Sequence, residues 1–168
     1  EGAGSAEFAA KAGVAAIVVD SAEEAAAKAA ELVGLLPANN LAGPAVFEPS
    51  APAGTLNLAK YCPMEAAASI ADANSAVELY AGYGKTVYTA LATVAGNVVG
   101  IVATKGAEDV LCRNCVSKAA RFVRLCDAFS IPVVTLVNTD GFVKSASDDM
   151  AGGLREAARL AGTYADAT

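Results

Sequence analysis

Two β-branched runs, Thr86 to Val94 and Asn97 to Thr104, are joined through Ala95-Gly96-Asn97. A connection that short leaves antiparallel pairing as the way to join two strands, so the stretch is expected to form a hairpin. The residues beyond the hairpin are patterned just as clearly. Cys115 to Phe129 has helical spacing, and Ile131-Pro-Val-Val-Thr-Leu-Val137 reads as a buried strand. Asn138 to Phe142 forms a loop, and Asp148 or Asp149 is placed to cap a last helix running to about Tyr164. The order ββαβα predicts an α/β layer, parallel in type, with an antiparallel start.

The first part of the chain is less regular. Val14 to Val19 is an apolar run of strand length, and Ser21-Ala-Glu-Glu24 has the spacing of a capping box. The Ala-rich segment after it predicts a helix to Leu36, stopped by Pro37. Pro37, Pro44, Pro49, Pro52 and Pro63, with Gly43 and Gly54, then mark an extended connection. So long a stretch without regular structure points to a join between two domains. Met64 to Asp72 adds one or two helical turns.

Composition removes whole classes of function. With a net charge of −6 and its basic residues scattered, the chain repels a phosphate backbone, which argues against nucleic acid. No apolar run is long enough to span a bilayer, and no signal peptide is readable, so the expected location is cytoplasmic. There is no His, which removes Ser-His and Cys-His catalysis and every His-ligated metal site from these residues. Cys112-Arg-Asn-Cys115 has metal-ligand spacing, and Cys62 and Cys126 would be needed to complete four thiolates. Cys115 and Cys126 lie about three helical turns apart on one face, beside Phe122 and Leu125. The expectation is inert buried thiols with neither metal nor disulfide. Lys118, Arg121 and Arg124 are expected on a solvated face or an interface.

The block from Ser117 to Val137 carries a Lys-Ala-Ala-Arg-Phe helix, then Cys126-Asp-Ala-Phe129, then Ile131-Pro132 and an apolar strand. It resembles the carboxyltransferase subunits of biotin-dependent acyl-CoA carboxylases and decarboxylases. The likeness continues through Gly152-Gly153 to Tyr164-Ala-Asp-Ala-Thr168. Upstream it reaches Val99-Gly-Ile-Val-Ala103, Lys11-Ala-Gly-Val14 and Leu36-Pro-Ala-Asn-Asn40.

That resemblance implies a crotonase-like fold of ββα units wound into a superhelix, here an incomplete one. Residues 1–37 would end the acyl-CoA-side domain, 38–72 would be a linker, and 73–168 would form part of the carboxybiotin-side domain. The implied activity moves a carboxyl group between biotin and an acyl-CoA, with paired backbone amides holding the developing oxyanions. Biotin would arrive on a separate carrier protein or domain, and the implied assembly is a homo-oligomer or a complex with partner carboxylase subunits. Site residues carried over are Gly141 and Phe142 as catalytic, and Glu108, Asp109 and Val110 as cofactor-binding; no metal is implied. The family's Asp-Val-Pro-Gly-Phe is Asn138-Thr-Asp-Gly-Phe142 here, and its Ala-Gly-Val-Leu-Asp aligns with Glu108 to Cys112. The family's two oxyanion turns fall outside these residues, so the chain reads as a fragment, expected to associate and to be inactive alone. The alternatives are a non-catalytic assembly fragment or an unrelated α/β ligand-binding domain. Against the second, neither GxGxxG nor GxxxxGK[ST] occurs.

Overall fold

The computed structural model describes residues 2–106 and 109–168. Its centre is the hairpin, β2 (Val87–Val94) and β3 (Asn97–Thr104), paired antiparallel in register from Val87 opposite Thr104 to Val94 opposite Asn97. The connection is the two-residue kind that matches strand twist, with positive φ at both Ala95 (48°) and Gly96 (79°). A short β1 (Val77–Glu78) adds antiparallel to β2, and β4 (Val133–Leu136) adds parallel to β3, giving the order β1-β2-β3-β4. The expected mixed sheet is therefore present.

Both faces of the hairpin are covered. On one, Val87, Leu91, Val98 and Val102 pack with Cys115, Ala119, Phe122, Val123 and Cys126 of α4 (Arg113–Ala128). On the other, Ala92, Val99, Ile101 and Ala103 pack with Ala67 and Ala71, from or just beyond α3 (Pro63–Ile70). Side-chain alternation along two adjacent strands puts one set on each face, so a continuous apolar run buries twice. The remaining α-helices among the described residues are α1 (Ala6–Lys11), α2 (Ala22–Leu35), α5 (Ala146–Met150) and α6 (Gly153–Asp166); α6 lies against α4.

The proline-rich connection is strapped to this sheet rather than hanging from it. Phe47 N donates to Gly96 O at 2.8 Å, and Asp72 N donates to Thr93 O at 2.8 Å. The Asp72 carboxylate, itself buried, accepts from the Thr93 hydroxyl at 2.6 Å, from Gly96 N at 2.8 Å and from Ser50 N at 3.3 Å. Those donors, the Thr93 hydroxyl first, hold its pKa below the usual carboxylate range.

Four expectations need correction. Val14 to Val19 is not a strand: Tyr80 N, just beyond β1, donates to Ala16 O, one bond where a ladder needs several. The Ile131 to Val137 strand shortens to β4, and its residues are only half-buried, Thr135 being exposed, because it stands at the end of the described sheet with β3 on one side. The last helix is two helices, broken at Gly152 with φ 103°. Ser145, not an Asp, caps the first, its Oγ accepting from Asp148 N at 3.1 Å; Asp148 and Asp149 sit in that helix's first turn. The capping box at α2 is also offset. Ser21 Oγ accepts from Glu24 N at 3.1 Å, but the Glu24 carboxylate reaches back one residue further, to Asp20 N at 3.1 Å.

Candidate functional site

Because β3 and β4 run parallel, their C-terminal ends lie side by side, and so do the loops that leave them. One loop runs from Lys105 to Cys112 and opens α4; the other runs from Val137 to Ser145 and opens α5. They are joined by a parallel bridge between Leu111 and Phe142. Leu111 N donates to Gly141 O at 2.7 Å, and Val143 N donates to Leu111 O at 3.1 Å. The Thr139 hydroxyl donates to Asp109 O and accepts from Gly141 N at 3.3 Å.

The structure thus brings together four of the five residues singled out from sequence. Asp109, Val110, Gly141 and Phe142 lie on two loops in direct contact; Glu108 lies outside the described residues. Gly141 has φ 98°, a conformation that side chains rarely adopt, while a Cβ there would meet no atom within 4 Å. The glycine is therefore required by the turn of the backbone and leaves open space above it. Phe142 and Val110 are 46% and 41% exposed, large apolar groups held at the mouth of the loop pair. A cavity of about 510 Å³ adjoins them, its wall including Leu111, Arg113, Val116, Phe142, Lys144 and Leu154. The amides of Leu111 and Val143 are engaged between the loops and that of Gly141 within its own loop, on Thr139 Oγ1, so they brace the site rather than face a ligand.

Sequence reasoning missed the hydroxyls that fasten these loops. Thr104 Oγ1 donates to Asn138 O at 2.8 Å and accepts from Asn138 N at 2.9 Å, locking the second loop to the end of β3. Thr86 Oγ1 donates to Val110 O at 3.2 Å and touches Cys115 Sγ at 3.0 Å. In the sequence these threonines are indistinguishable from ordinary strand formers, so no local signal marked them.

The basic residues of α4 also depart from expectation. Lys118 is not solvated: it is 1% exposed, and its ammonium donates to Val87 O at 2.7 Å. Burial is the main cause that lowers its pKa to about 8, opposed by the nearby Glu78 carboxylate. Arg121 donates to Gly13 O at 2.8 Å and stacks 4.7 Å from the Tyr80 ring centre, tying the N-terminal segment to the helix. Arg124 alone is exposed as expected. Both Lys118 and Arg121 are structural ties, not groups presented to a ligand.

All four cysteines are free thiols, and among the described residues no three His, Cys, Asp or Glu side chains converge as metal ligands. Cys115 and Cys126 are buried on the inner face of α4, as helical phase requires, and burial pushes the Cys126 thiol up to about 12. Cys112 and Cys115 are in contact, sulfur to sulfur at 2.9 Å. Burial, and then the adjoining Cys115 thiol, raise the pKa of Cys112.

Comparison with known proteins gives one consistent result. The family model described as "Carboxyl transferase domain" matches residues 1–168. The methylmalonyl-CoA carboxyltransferase 12S subunit of Propionibacterium freudenreichii subsp. shermanii is 39% identical over 106 residues, 60% of this chain and 20% of that protein. The propionyl-CoA carboxylase beta chain of Roseobacter denitrificans is 32% identical over 171 residues, 94% of this chain and 34% of that one. The chain therefore spans between about a fifth and a third of the length of these relatives. Among solved structures, the transcarboxylase 12S hexamer with methylmalonyl-coenzyme A and methylmalonic acid bound superposes with a TM-score of 0.88. It is 31% identical, and the match covers 98% of this chain and 35% of that one. A single-chain, multi-domain long-chain acyl-CoA carboxylase shares the fold, with a TM-score of 0.75 at 24% identity, covering 93% of this chain and 16% of that one. The crotonase-like α/β fold expected from sequence is the fold found.

Proposed function

The chain belongs to the carboxyl transferase domain family, and from that premise we propose that it forms part of an enzyme that moves a carboxyl group between biotin and an acyl-CoA. The observation that carries the reading is the superposition, over 98% of the chain, on a carboxyltransferase core with methylmalonyl-coenzyme A bound. On this reading residues 73–168 belong to the carboxybiotin-side domain, residues 1–37 close the acyl-CoA-side domain, and 38–72 link them. Its partners are a biotin carrier protein and further copies of the subunit, in the cytoplasm. Among the described residues no helix is long and apolar enough to cross a membrane.

The loop pair has the chemistry to receive a bicyclic ureido ring. Phe142 and Val110 offer exposed apolar surface beside the open space above Gly141, and the neighbouring cavity carries two cations, Arg113 and Lys144, and two carboxylates, Asp148 and Asp149. When bound, carboxybiotin supplies an activated carboxyl group. What this chain contributes is placement: hydrogen bonds from Thr86, Thr104 and Thr139 hold the apolar contacts at Val110 and Phe142 in position, and fixed geometry is worth several orders of magnitude in effective concentration. Binding through Phe142 predicts a specific kinetic signature. In the full-length protein, Phe142→Ala should raise KM for free biotin about tenfold while leaving KM for methylmalonyl-CoA unchanged, the loss of about 1.4 kcal/mol of contact. Decarboxylation or transfer that is absent in the wild type with both malonyl-CoA and methylmalonyl-CoA would overturn the activity. An unchanged KM for biotin in Phe142→Ala would overturn the placement alone.

A further inference from the structure

The carboxyl-transfer reading leaves one side-chain cluster unused, the thiol pair at the start of α4. We propose that Cys112 and Cys115 form a dithiol site that reduces low-molecular-weight disulfides and closes into a disulfide within the first turn of that helix.

Three observations carry it. The sulfurs are already in contact at 2.9 Å, so a bond of about 2.05 Å needs them to approach by less than about an ångström, within the give of two side chains. Their exposure is unequal: Cys115 is 1% exposed, whereas Cys112 is half-buried and lines a cavity of about 470 Å³ with Arg113, Asn114, Val143 and Ser147. An entering disulfide therefore meets Cys112 first, with Cys115 waiting behind it. Cys115 Sγ also touches Thr86 Oγ1 at 3.0 Å, the same oxygen that reaches Val110 O, so the buried thiol is held in place from its other side. The other two cysteines lack this arrangement: Cys126 is fully buried three turns along the helix, and Cys62 precedes α3.

The exchange balances in two steps. Cys112, its proton lost to solvent, attacks one sulfur of R–S–S–R, forming Cys112–S–S–R and expelling the first thiolate, which takes up a proton. Cys115 then gives up its proton, attacks the Cys112 sulfur of the mixed disulfide and expels the second thiolate, which is protonated in turn. Two protein thiols are oxidised, and one small disulfide is reduced to two thiols. Oxidation removes the Cys115 thiol proton beside Thr86 Oγ1, so the change is felt at the hydroxyl that fastens Val110.

Arg113 makes the test clean, because trypsin cuts after it, between the two cysteines. The purified protein is incubated with oxidised glutathione, quenched with an alkylating agent, digested and mapped by mass. Expected is a linked pair, the peptide ending at Arg113 joined to the one beginning at Asn114, with two glutathione thiols released per chain. Cys115→Ser should stop at a persistent glutathione adduct on Cys112, and Cys112→Ser should abolish the reaction while keeping the wild-type circular dichroism. No reaction in the wild type, a stable adduct without closure, a linkage through Cys62 or Cys126, or an unaltered rate in folded Cys112→Ser would each overturn the proposal.

Discussion

Helices α2 and α4 are of similar length, 14 and 16 residues, yet different forces hold them. α2 reads Ala-Glu-Glu-Ala-Ala-Ala-Lys-Ala-Ala-Glu-Leu-Val-Gly-Leu, and Leu35 is its one buried residue. It stands on intrinsic propensity, on the Ser21 cap and on an exposed Lys28–Glu31 ion pair at 2.6 Å. α4 has neither a side-chain cap nor a favourably charged end, and it carries Asn, Cys, Ser, Phe and Val, weaker helix formers. Eight of its residues are buried. Helical structure in one case is written locally; in the other it is imposed by the sheet beneath.

The contrast predicts where substitutions hurt. Phe122 is wholly buried against β2 and β3, so Phe122→Ala should cost about 3–5 kcal/mol, a transfer loss plus a cavity. The same kind of truncation on α2, Val33→Ala at a position 72% exposed, should stay within about 0.5 kcal/mol. Urea denaturation of the two variants measures the gap, and equal midpoints would show that α4 does not anchor the fold.

Lys118 sharpens the comparison through pH. Its folded pKa, about 8, lies below the ordinary lysine value, so the fold carries a penalty while the group is charged in both states. As pH rises from 7.5 to 9, the folded chain sheds this proton while the unfolded chain keeps it, and stability should rise by about 1 kcal/mol. Lys118→Met should lack that rise. Denaturant midpoints at the two pH values, wild type against variant, are the measurement; parallel pH profiles would refute the lowered pKa.

A small, local effect is expected at the α2 cap. Ser21→Ala removes the oxygen that accepts from Glu24 N and should cost about 1 kcal/mol or less. The loss should be confined to α2, seen as faster amide exchange at its first turn with the sheet amides unchanged. A global loss of protection would mean that α2 is coupled to the core after all.

What the sequence determined by itself was mostly local. The hairpin was legible because β-branched runs and a two-residue turn involve neighbouring residues, and the Ser21 cap because its partner is three positions away. The family was legible because the matched residues crowd into one short stretch, Lys118 to Val137, with Gly141 and Phe142 just beyond. Asp109, Val110, Gly141 and Phe142 were named from that likeness, but nothing in it said that their loops touch; the parallel pairing of β3 with β4 decided that. Tertiary structure also reversed the reading of Lys118 and Arg121. Helical spacing gives their angle around α4, but whether that angle meets water depends on Val87 and Gly13, distant in sequence, supplying carbonyls. The strand reading of Val14 to Val19 failed for the same reason, since a strand exists only through its partner's hydrogen bonds. Propensity, caps and tight turns are properties of adjacent residues; burial, register and the meeting of two loops arise from chain segments tens of residues apart, and the packed sheet alone brings those together.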